Sequence, residues 1–426
     1  MTDEQLQREL ISDCVHCGFC LPSCPTYLLW GEEMDSPRGR IYLMRNVLDG
    51  APLDATTTGH FDACLGCMAC VTACPSGVQY DALIEATRAE VEGCGTRGFG
   101  DRLLRRMIFS LFPYPNRLRR IRPALRAYQA SGAQRLVRNR MTGTLGTMAG
   151  LVPPLGRREP IAAVTPAVGE RRMRVGLLLG CVQREFFPGV NAATVRVLAA
   201  EGCEVVVPQD QQCCGALSVH AGREPEALAR AKAIIVAFEA AGVDAVVINS
   251  AGCGSSMKDY GRLLADDPGW AQRAARFSAS CRDVAELLVE LGPVATRHPL
   301  PVVAAYHDAC HLSHAQRVRS QPRELLRGIP GLELREIAEG DICCGSAGIY
   351  NLVNPEPARA LGDRKAANVR ATGAALLVTA NPGCLMQIDS AMKRGGAQIA
   401  LAHTIEVLDA SLRGANIAQI GVTSPG

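Results

Sequence analysis

The sequence predicts a multidomain fold: a small α-helical unit built around eight cysteines, then two duplicated α/β units that are themselves rich in cysteine. Three observations carry this expectation. Two runs of four cysteines near the N-terminus share one spacing. Two later stretches repeat the same strand, helix and Cys-Cys-Gly landmarks, with equivalent cysteines 129 to 131 positions apart. Between them lies a segment so rich in arginine that it belongs to neither pattern.

The first run places Cys14, Cys17, Cys20 and Cys24 directly before Pro25; the second places Cys64, Cys67, Cys70 and Cys74 directly before Pro75. This C-x2-C-x2-C-x3-C-P spacing is the one with which bacterial-type ferredoxins hold cubane [4Fe–4S] clusters. Two-residue gaps let a tight loop wrap a cluster face, so three thiolates reach three irons and nearby N–H groups face the sulfides. The fourth cysteine lies too far along to close that cube and points to a second cluster. The expected ligand sets are therefore Cys14, Cys17, Cys20 and Cys74 for one cluster, and Cys64, Cys67, Cys70 and Cys24 for the other. A pair of zinc sites is the competing reading, although zinc sites usually show paired C-x2-C knuckles.

Residues 1–95 form this first unit. Ser36-Pro37 reads as a helix N-cap followed by proline at the first helical position, with Gly50 as the stop. Ile41, Met44 and Leu48 repeat at helical spacing between them. A second helix is expected after Ser76-Gly77, carrying Leu83, Ala86 and Val91 and ending near Gly93. The 39 residues between Cys24 and Cys64 suit an α-helical ferredoxin domain better than a compact β-type one.

Residues 96–172 read as a connector. From 97 to 174 there are 17 arginines, no lysine and only Asp101, Glu159 and Glu170 as acids, a local balance of +14 against +3 for the whole chain. In 101–112, Leu103, Leu104, Met107, Ile108, Leu111 and Phe112 are expected on one helical stripe, with Arg102, Arg105 and Arg106 off it. Such a helix can pack on the preceding domain, dock on an acidic partner or lie on an anionic membrane. Prolines and glycines from 143 to 169 mark a linker.

From 173 the chain repeats itself. The first copy (173–300) has a strand at 175–179 before Gly180-Cys181, a helix at 191–200 and a strand at 205–207 before Cys213-Cys214-Gly215. A helix at 226–240 and a strand at 245–248 then lead to Gly252-Cys253. The second copy (301–426) has a strand at 302–305 before Cys310, then Cys343-Cys344-Gly345, and a strand at 375–379 before Gly383-Cys384. Intervals of 31 and 38 residues in the first copy, and 32 and 39 in the second, argue for internal duplication. Alternation of strand and helix implies a parallel sheet, whose ligand loops gather past the strand ends. Each copy thus brings four sulfurs to one edge: Cys181, Cys213, Cys214 and Cys253, or Cys310, Cys343, Cys344 and Cys384. Adjacent cysteines are expected to diverge, which favours a polynuclear cluster, while zinc stays open. His307, His311 and His314 flank Cys310 and offer a hydrogen bond to a cluster sulfide or a place in proton transfer. Cys94, Cys203 and Cys281 fit no spacing and read as buried small hydrophobes.

Composition narrows the setting. A near-neutral net charge of +3 suggests no nucleic-acid partner. The 19 cysteines are odd in number and clustered, and Met1-Thr2-Asp3-Glu4-Gln5 is polar and acidic rather than a secretory signal, so metal-bound thiolates in a reducing cytosol are expected. The most apolar stretch, 233–248, is interrupted by Glu239 and Asp244, so no membrane span is expected. No Gly-x-Gly-x-x-Gly follows a strand, and no Walker loop occurs, so flavin is expected on other chains.

These residues resemble the family of iron–sulfur subunits of bacterial glycolate oxidase (glycolate dehydrogenase) over essentially the whole chain. The resemblance rests on Cys-Val-His-Cys-Gly-Phe-Cys from Cys14, Cys-Pro-Thr-Tyr from Cys24 and Ser-Pro-Arg-Gly-Arg-Ile-Tyr-Leu from Ser36. It continues in Cys-Pro-Ser-Gly-Val from Cys74, Asn-Ala-Ala-Thr from Asn191, Gly-Cys-Gly from Gly252 and Cys-Cys-Gly-Ser-Ala-Gly from Cys343. It implies two [4Fe–4S] clusters here, one or two further clusters or zinc in the Cys-Cys-Gly domains, and FAD on partner subunits that oxidise glycolate to glyoxylate. It also implies the respiratory quinone pool as acceptor and a cytoplasmic protein in peripheral contact with the inner membrane. The chain is similar, too, to cluster subunits of anaerobic glycerol-3-phosphate and lactate dehydrogenases. More distantly it is similar to a heterodisulfide reductase subunit with catalytic Cys-Cys-Gly sites. That subunit closes its motif with C-x-x-C, whereas Ser256 and Gln387 stand here after Cys253 and Cys384, so each half keeps four cysteines and lacks the fifth.

Overall fold

A computed structural model describes residues 3–134, 137, 143–156 and 158–416. Among described residues up to 95 there are helices and no strand: Asp3–Ser12, Pro25–Trp30, Pro37–Leu48, Ala55–Asp62, Ala69–Ala73 and Tyr80–Gly93. Ser36 caps its helix as expected, its hydroxyl accepting the Gly39 N–H at 3.0 Å with Pro37 opening the first turn. Ile11, Ile41, Met44, Phe61, Leu83, Ile84 and Val91 form the core, and the cysteine loops sit at its edge.

The connector is helical, with helices Phe99–Leu111, Pro115–Ala130 and Gly143–Leu151 among the described residues. Part of the expected linker is therefore a helix. The expected apolar stripe is rotated. Arg105, Ile108 and Phe109 are buried, whereas Leu103 is 50% and Met107 53% exposed. Arg105 turns inward because carboxylates wait there: its Nε donates to Asp101 at 2.8 Å, and Asp62 lies 3.7 Å away. Arginines 135, 138, 140 and 157 of this segment lie outside the described residues.

The remainder builds two sheets. Strands β1 (Val164–Thr165), β2 (Met173–Leu177), β3 (Cys203–Val206), β4 (Ala245–Ile248) and β5 (Cys281–Asp283) lie in the order β1-β3-β2-β4-β5. Strands β6 (Val302–His307), β7 (Leu332–Glu336), β8 (Leu376–Thr379) and β9 (Ala400–His403) lie in the order β7-β6-β8-β9. Apart from β1, which runs antiparallel to β3, all pairings are parallel. The first strand of each copy is central: Val175 pairs with both Val205 and Ala245, and Ala304 with both Leu334 and Leu376. The duplication is thus one of topology. Helices cover the sheets, so β4 and β8 are buried at every position.

The two copies share a core. Val190 and Leu198 of helix Pro188–Ala200 and Ile405 and Leu408 of helix Thr404–Arg413 belong to one apolar cluster with strands of both sheets. Arg196 clamps that contact, its Nε and one Nη each 2.8 Å from a different oxygen of Asp409. No helix among the described residues is long and apolar enough to cross a membrane.

Candidate functional site

The two N-terminal loops take the same path. His16 and Gly18 in one, and Gly66 and Met68 in the other, have positive φ at matching positions. The left-handed conformation curls each loop inward, and His16 and Met68 adopt it despite the steric cost to residues with a Cβ. Cys14, Cys17, Cys20 and Cys74 line one small cavity, and Cys24, Cys64 and Cys67 line a second; Cys70 borders both.

The second cavity is the more enclosed, and its chemistry is legible. Burial pushes the Cys67 and Cys70 thiols well up, so each would stay protonated unless a cation replaced the proton. At Cys64, burial acts the same way but is outweighed by the Arg40 and Arg88 guanidiniums, and the thiol is pulled down. Gly66 N–H and Tyr80 O–H donate to Cys64 Sγ at 3.3 and 3.6 Å. Arg40 is 1% exposed; it donates to the Thr26 hydroxyl and to Asp35 at 3.2 Å, and Thr26 lies 3.2 Å from Cys24 Sγ. A sulfur-only donor set backed by buried guanidiniums fits an anionic iron–sulfur cluster. Arg40, Arg88 and Tyr80 escape a reading of cysteine spacing, because their roles depend on which buried side chains meet.

The later cysteines fall where doubly wound sheets bind ligands. Cys181 and Cys253 follow β2 and β4, and Cys310 and Cys384 follow β6 and β8, flanking the point where strand order reverses. The sulfurs form equivalent rows: Cys181 interacts with Cys213, Cys213 with Cys214 and Cys214 with Cys253. Cys310, Cys343, Cys344 and Cys384 repeat the row, with 3.9 Å between Cys310 and Cys343 Sγ. Adjacent cysteines therefore interact rather than diverge. Gly215 and Gly345 allow this at φ of +85° and +89°, where a Cβ on Gly345 would lie 2.5 Å from the Ala358 carbonyl oxygen. Hydrogen bonds from Cys181 and Cys214 hold Cys213 well below the usual thiol range.

The second row has a feature the first lacks. His307 is 1% exposed, neither ring nitrogen has a hydrogen-bond partner, and a ring nitrogen lies within 4.8 Å of Cys344 and Cys384 Sγ. An unmet buried polar group costs about 1–3 kcal/mol, so the ring fits a metal ligand. The equivalent position three residues before Cys181 is Leu178. His314 is structural: its Nδ1 accepts the Thr72 hydroxyl at 2.7 Å and its Nε2 donates to the Asp341 carbonyl at 3.2 Å. Cys203 and Cys281 are fully buried on strands, as expected, but Cys94 is exposed at a helix end.

The sites adjoin one another. Cys67, Cys310 and Cys343 share an apolar cluster with Leu65, Ala69 and Ile342. Both Cys-Cys-Gly rows then open on one cavity of about 660 Å³, bordered by Cys181, Cys213, Cys214, Cys253, Cys310 and Cys384.

Known families carry the same segments in the same order. Residues 10–78 match the family described as a 4Fe-4S dicluster domain, and 175–258 and 304–389 each match the family described as a cysteine-rich domain. Residues 100–157 match the linker region of the glycolate oxidase iron-sulfur subunit. The chain is 39% identical over 420 residues to a probable glycolate oxidase iron-sulfur subunit of Bacillus subtilis, covering 95% of each. It is 34% identical over 438 residues to the glycolate oxidase iron-sulfur subunit of Escherichia coli, covering 97% of this chain and 98% of that one. A lactate utilization protein A of Shouchella clausii is 34% identical over 243 residues, 56% of this chain and 99% of that protein. With a helical dicluster unit, the matching linker and two cysteine-rich repeats in one order, the chain belongs to the family of glycolate oxidase iron–sulfur subunits.

Proposed function

We propose that the chain carries electrons within a flavin-dependent 2-hydroxy-acid dehydrogenase complex, in which partner subunits oxidise glycolate to glyoxylate and a respiratory quinone is the final acceptor. The observation that carries this reading is the shared packing of Cys67, Cys310 and Cys343, which makes the N-terminal sites and the Cys-Cys-Gly sites neighbours. Iron–sulfur clusters supply one-electron transfer when bound, and hydride chemistry on a hydroxy acid belongs to an organic cofactor. Relatives named for glycolate oxidase match the chain end to end, whereas the lactate utilization protein matches just over half of it, which supports glycolate as the substrate.

Each residue has a stated task. Cys14, Cys17, Cys20 and Cys74 hold one [4Fe–4S] cluster, and Cys64, Cys67, Cys70 and Cys24 the other. Arg40 and Arg88 offset the negative charge of the second. Cys181, Cys213, Cys214 and Cys253 hold a further metal centre. Cys310, Cys343, Cys344 and Cys384 hold another, with His307 as an added nitrogen donor. Phe99, Leu103 and Met107, exposed beside Arg102 and Arg106 on helix Phe99–Leu111, support peripheral contact with the cytoplasmic face of the inner membrane. Anaerobic purification with the flavin subunits tests the reading. Glycolate is expected to elicit [4Fe–4S] paramagnetic signals from this chain, and a complex that oxidises glycolate yet shows none would sink it.

A further inference from the structure

The ferredoxin-type cavities measure about 30 and 20 Å³, yet each is ringed by the sulfurs for one cluster. The cavity between the Cys-Cys-Gly rows is about 660 Å³, far more than two such centres need. Part of its wall comes from the connector, with Phe112, Ile121, Leu125, Tyr128, Met148 and Leu151, none of them a metal ligand. No Lys, Arg, Asp or Glu lines it among the described residues. A carboxylate such as the hydroxy-acid substrate would find no countercharge there, whereas a neutral apolar molecule finds a site of ordinary ligand size.

Three polar atoms in the wall lack partners: Gln183 Oε1, His311 Nε2 and the Nε2 of His220, whose ring lies 4.8 Å from that of His311. Gln183 is 4% exposed; its Nε2 donates to Asn191 and Asn249, which leaves Oε1 as an acceptor with no donor. His311 is 8% exposed; its Nδ1 lies 3.5 Å from Cys310 Sγ, and its Nε2 has no partner. With Nδ1–H directed at a metal-bound thiolate, Nε2 is an acceptor as well. Gln183 Oε1 and His311 Nε2, as unmet acceptors in an otherwise apolar cavity, suit a ligand with two hydroxyl donors on a flat ring.

We infer that this cavity, between the two Cys-Cys-Gly rows and beneath the connector helices, is the binding site for a quinone, with Gln183 and His311 accepting the hydroxyl protons of its reduced form. The inference rests on the proposed electron-carrying role and adds where the acceptor sits. The overall exchange balances: the 2-hydroxy acid loses two electrons and two protons as its C–H and O–H bonds break, and the quinone gains two of each as two O–H bonds form.

The test uses the complete complex and a short-chain azido-quinone as photolabel. Labelled peptides are expected from 111–128 and 148–153. Leu125→Trp, which fills the cavity, and Gln183→Leu are each expected to cut labelling at least tenfold and to raise the quinone KM relative to the complex's own dye-linked rate. Iron and acid-labile sulfide, measured in the same samples, report whether each variant is intact. Should Leu125→Trp lose iron, Ile121→Trp takes its place, and the wild-type label map stands independently. Labelling confined to other surfaces, or unchanged labelling in an intact cavity-filled variant, overturns the site. If wild-type clusters are still reduced by glycolate in that case, the electron-carrying role survives; if they are not, that role fails first.

Discussion

At the scale of single residues, burial without a partner marks chemistry that spacing leaves blank. His307 sits in the same short stretch as two other histidines, and in the sequence the three are equivalent. Folding separates them: His307 meets two sulfurs, His311 borders the large cavity, and His314 ties the second sheet to Thr72. His403 has a fourth role. It is fully buried, and its Nδ1 accepts the Ile405 N–H at 3.2 Å as the N-cap of helix Thr404–Arg413. Burial lowers its pKa from 6.5 to about 4. Because the folded value lies below the unfolded one, this contribution is fully present above pH 6.5 and is lost as pH falls through about 4. The whole descent corresponds to roughly 3 kcal/mol. Urea titrations between pH 7 and 4 are expected to show wild type losing stability towards acid that His403→Asn keeps, since asparagine caps without titrating. Parallel curves would remove the assignment.

At the scale of elements, the connector shows why an amphipathic pattern can be real and its face misplaced. Counting apolar residues set Leu103 and Met107 inward and all three arginines outward. Arg105 instead lies inward against Asp101 and Asp62, and the helix turns with it, leaving Phe99, Leu103 and Met107 in solvent. Asp62 is 43 positions away, so periodicity within the helix carries no trace of that partner. Reversing Arg102 and Arg106 to glutamate is expected to weaken co-sedimentation with anionic vesicles by tenfold or more, at about 1 kcal/mol per basic residue near the surface. The Arg105→Glu change is expected to lower thermal stability instead, by placing a third carboxylate beside two. Equal vesicle binding by all variants would remove the proposed membrane contact of this face.

At the scale of the whole molecule, the duplicated halves are repeats in topology but not in independence. Their strands share one core, and Arg196 reaches across to an Asp409 side chain that is 3% exposed. Arg196 is 38% exposed and also pairs with Glu159, so removing Asp409 costs less than the about 3–5 kcal/mol of breaking a fully buried pair. Calorimetry of the intact chain is therefore expected to show both halves unfolding in one transition, with Asp409→Ala lowering it as a unit. Two separated transitions would show that the shared core does not couple them.

The two four-cysteine runs, the duplication and the four-sulfur edges are all legible in the sequence. Each is written in local spacing, and local spacing dictates how a loop curls and where a strand ends. It also located β2, β4, β6 and β8 and the Ser36 cap, which carry continuous apolar runs or a capping pair. Strands β5 and β9 passed unseen, since Cys-Arg-Asp and Ala-Leu-Ala-His carry no β-branched residue, and so did β7, whose Leu-Glu-Leu-Arg-Glu is only partly buried. Only the tertiary structure decided that adjacent cysteines interact, that Arg40 and Arg88 stand behind Cys64, that His307 joins the second row, and that both rows share one cavity with the connector. Apart from the adjacent cysteines, which the turns at Gly215 and Gly345 draw together, these are contacts between residues tens to hundreds of positions apart, fixed by how helices cover the two sheets.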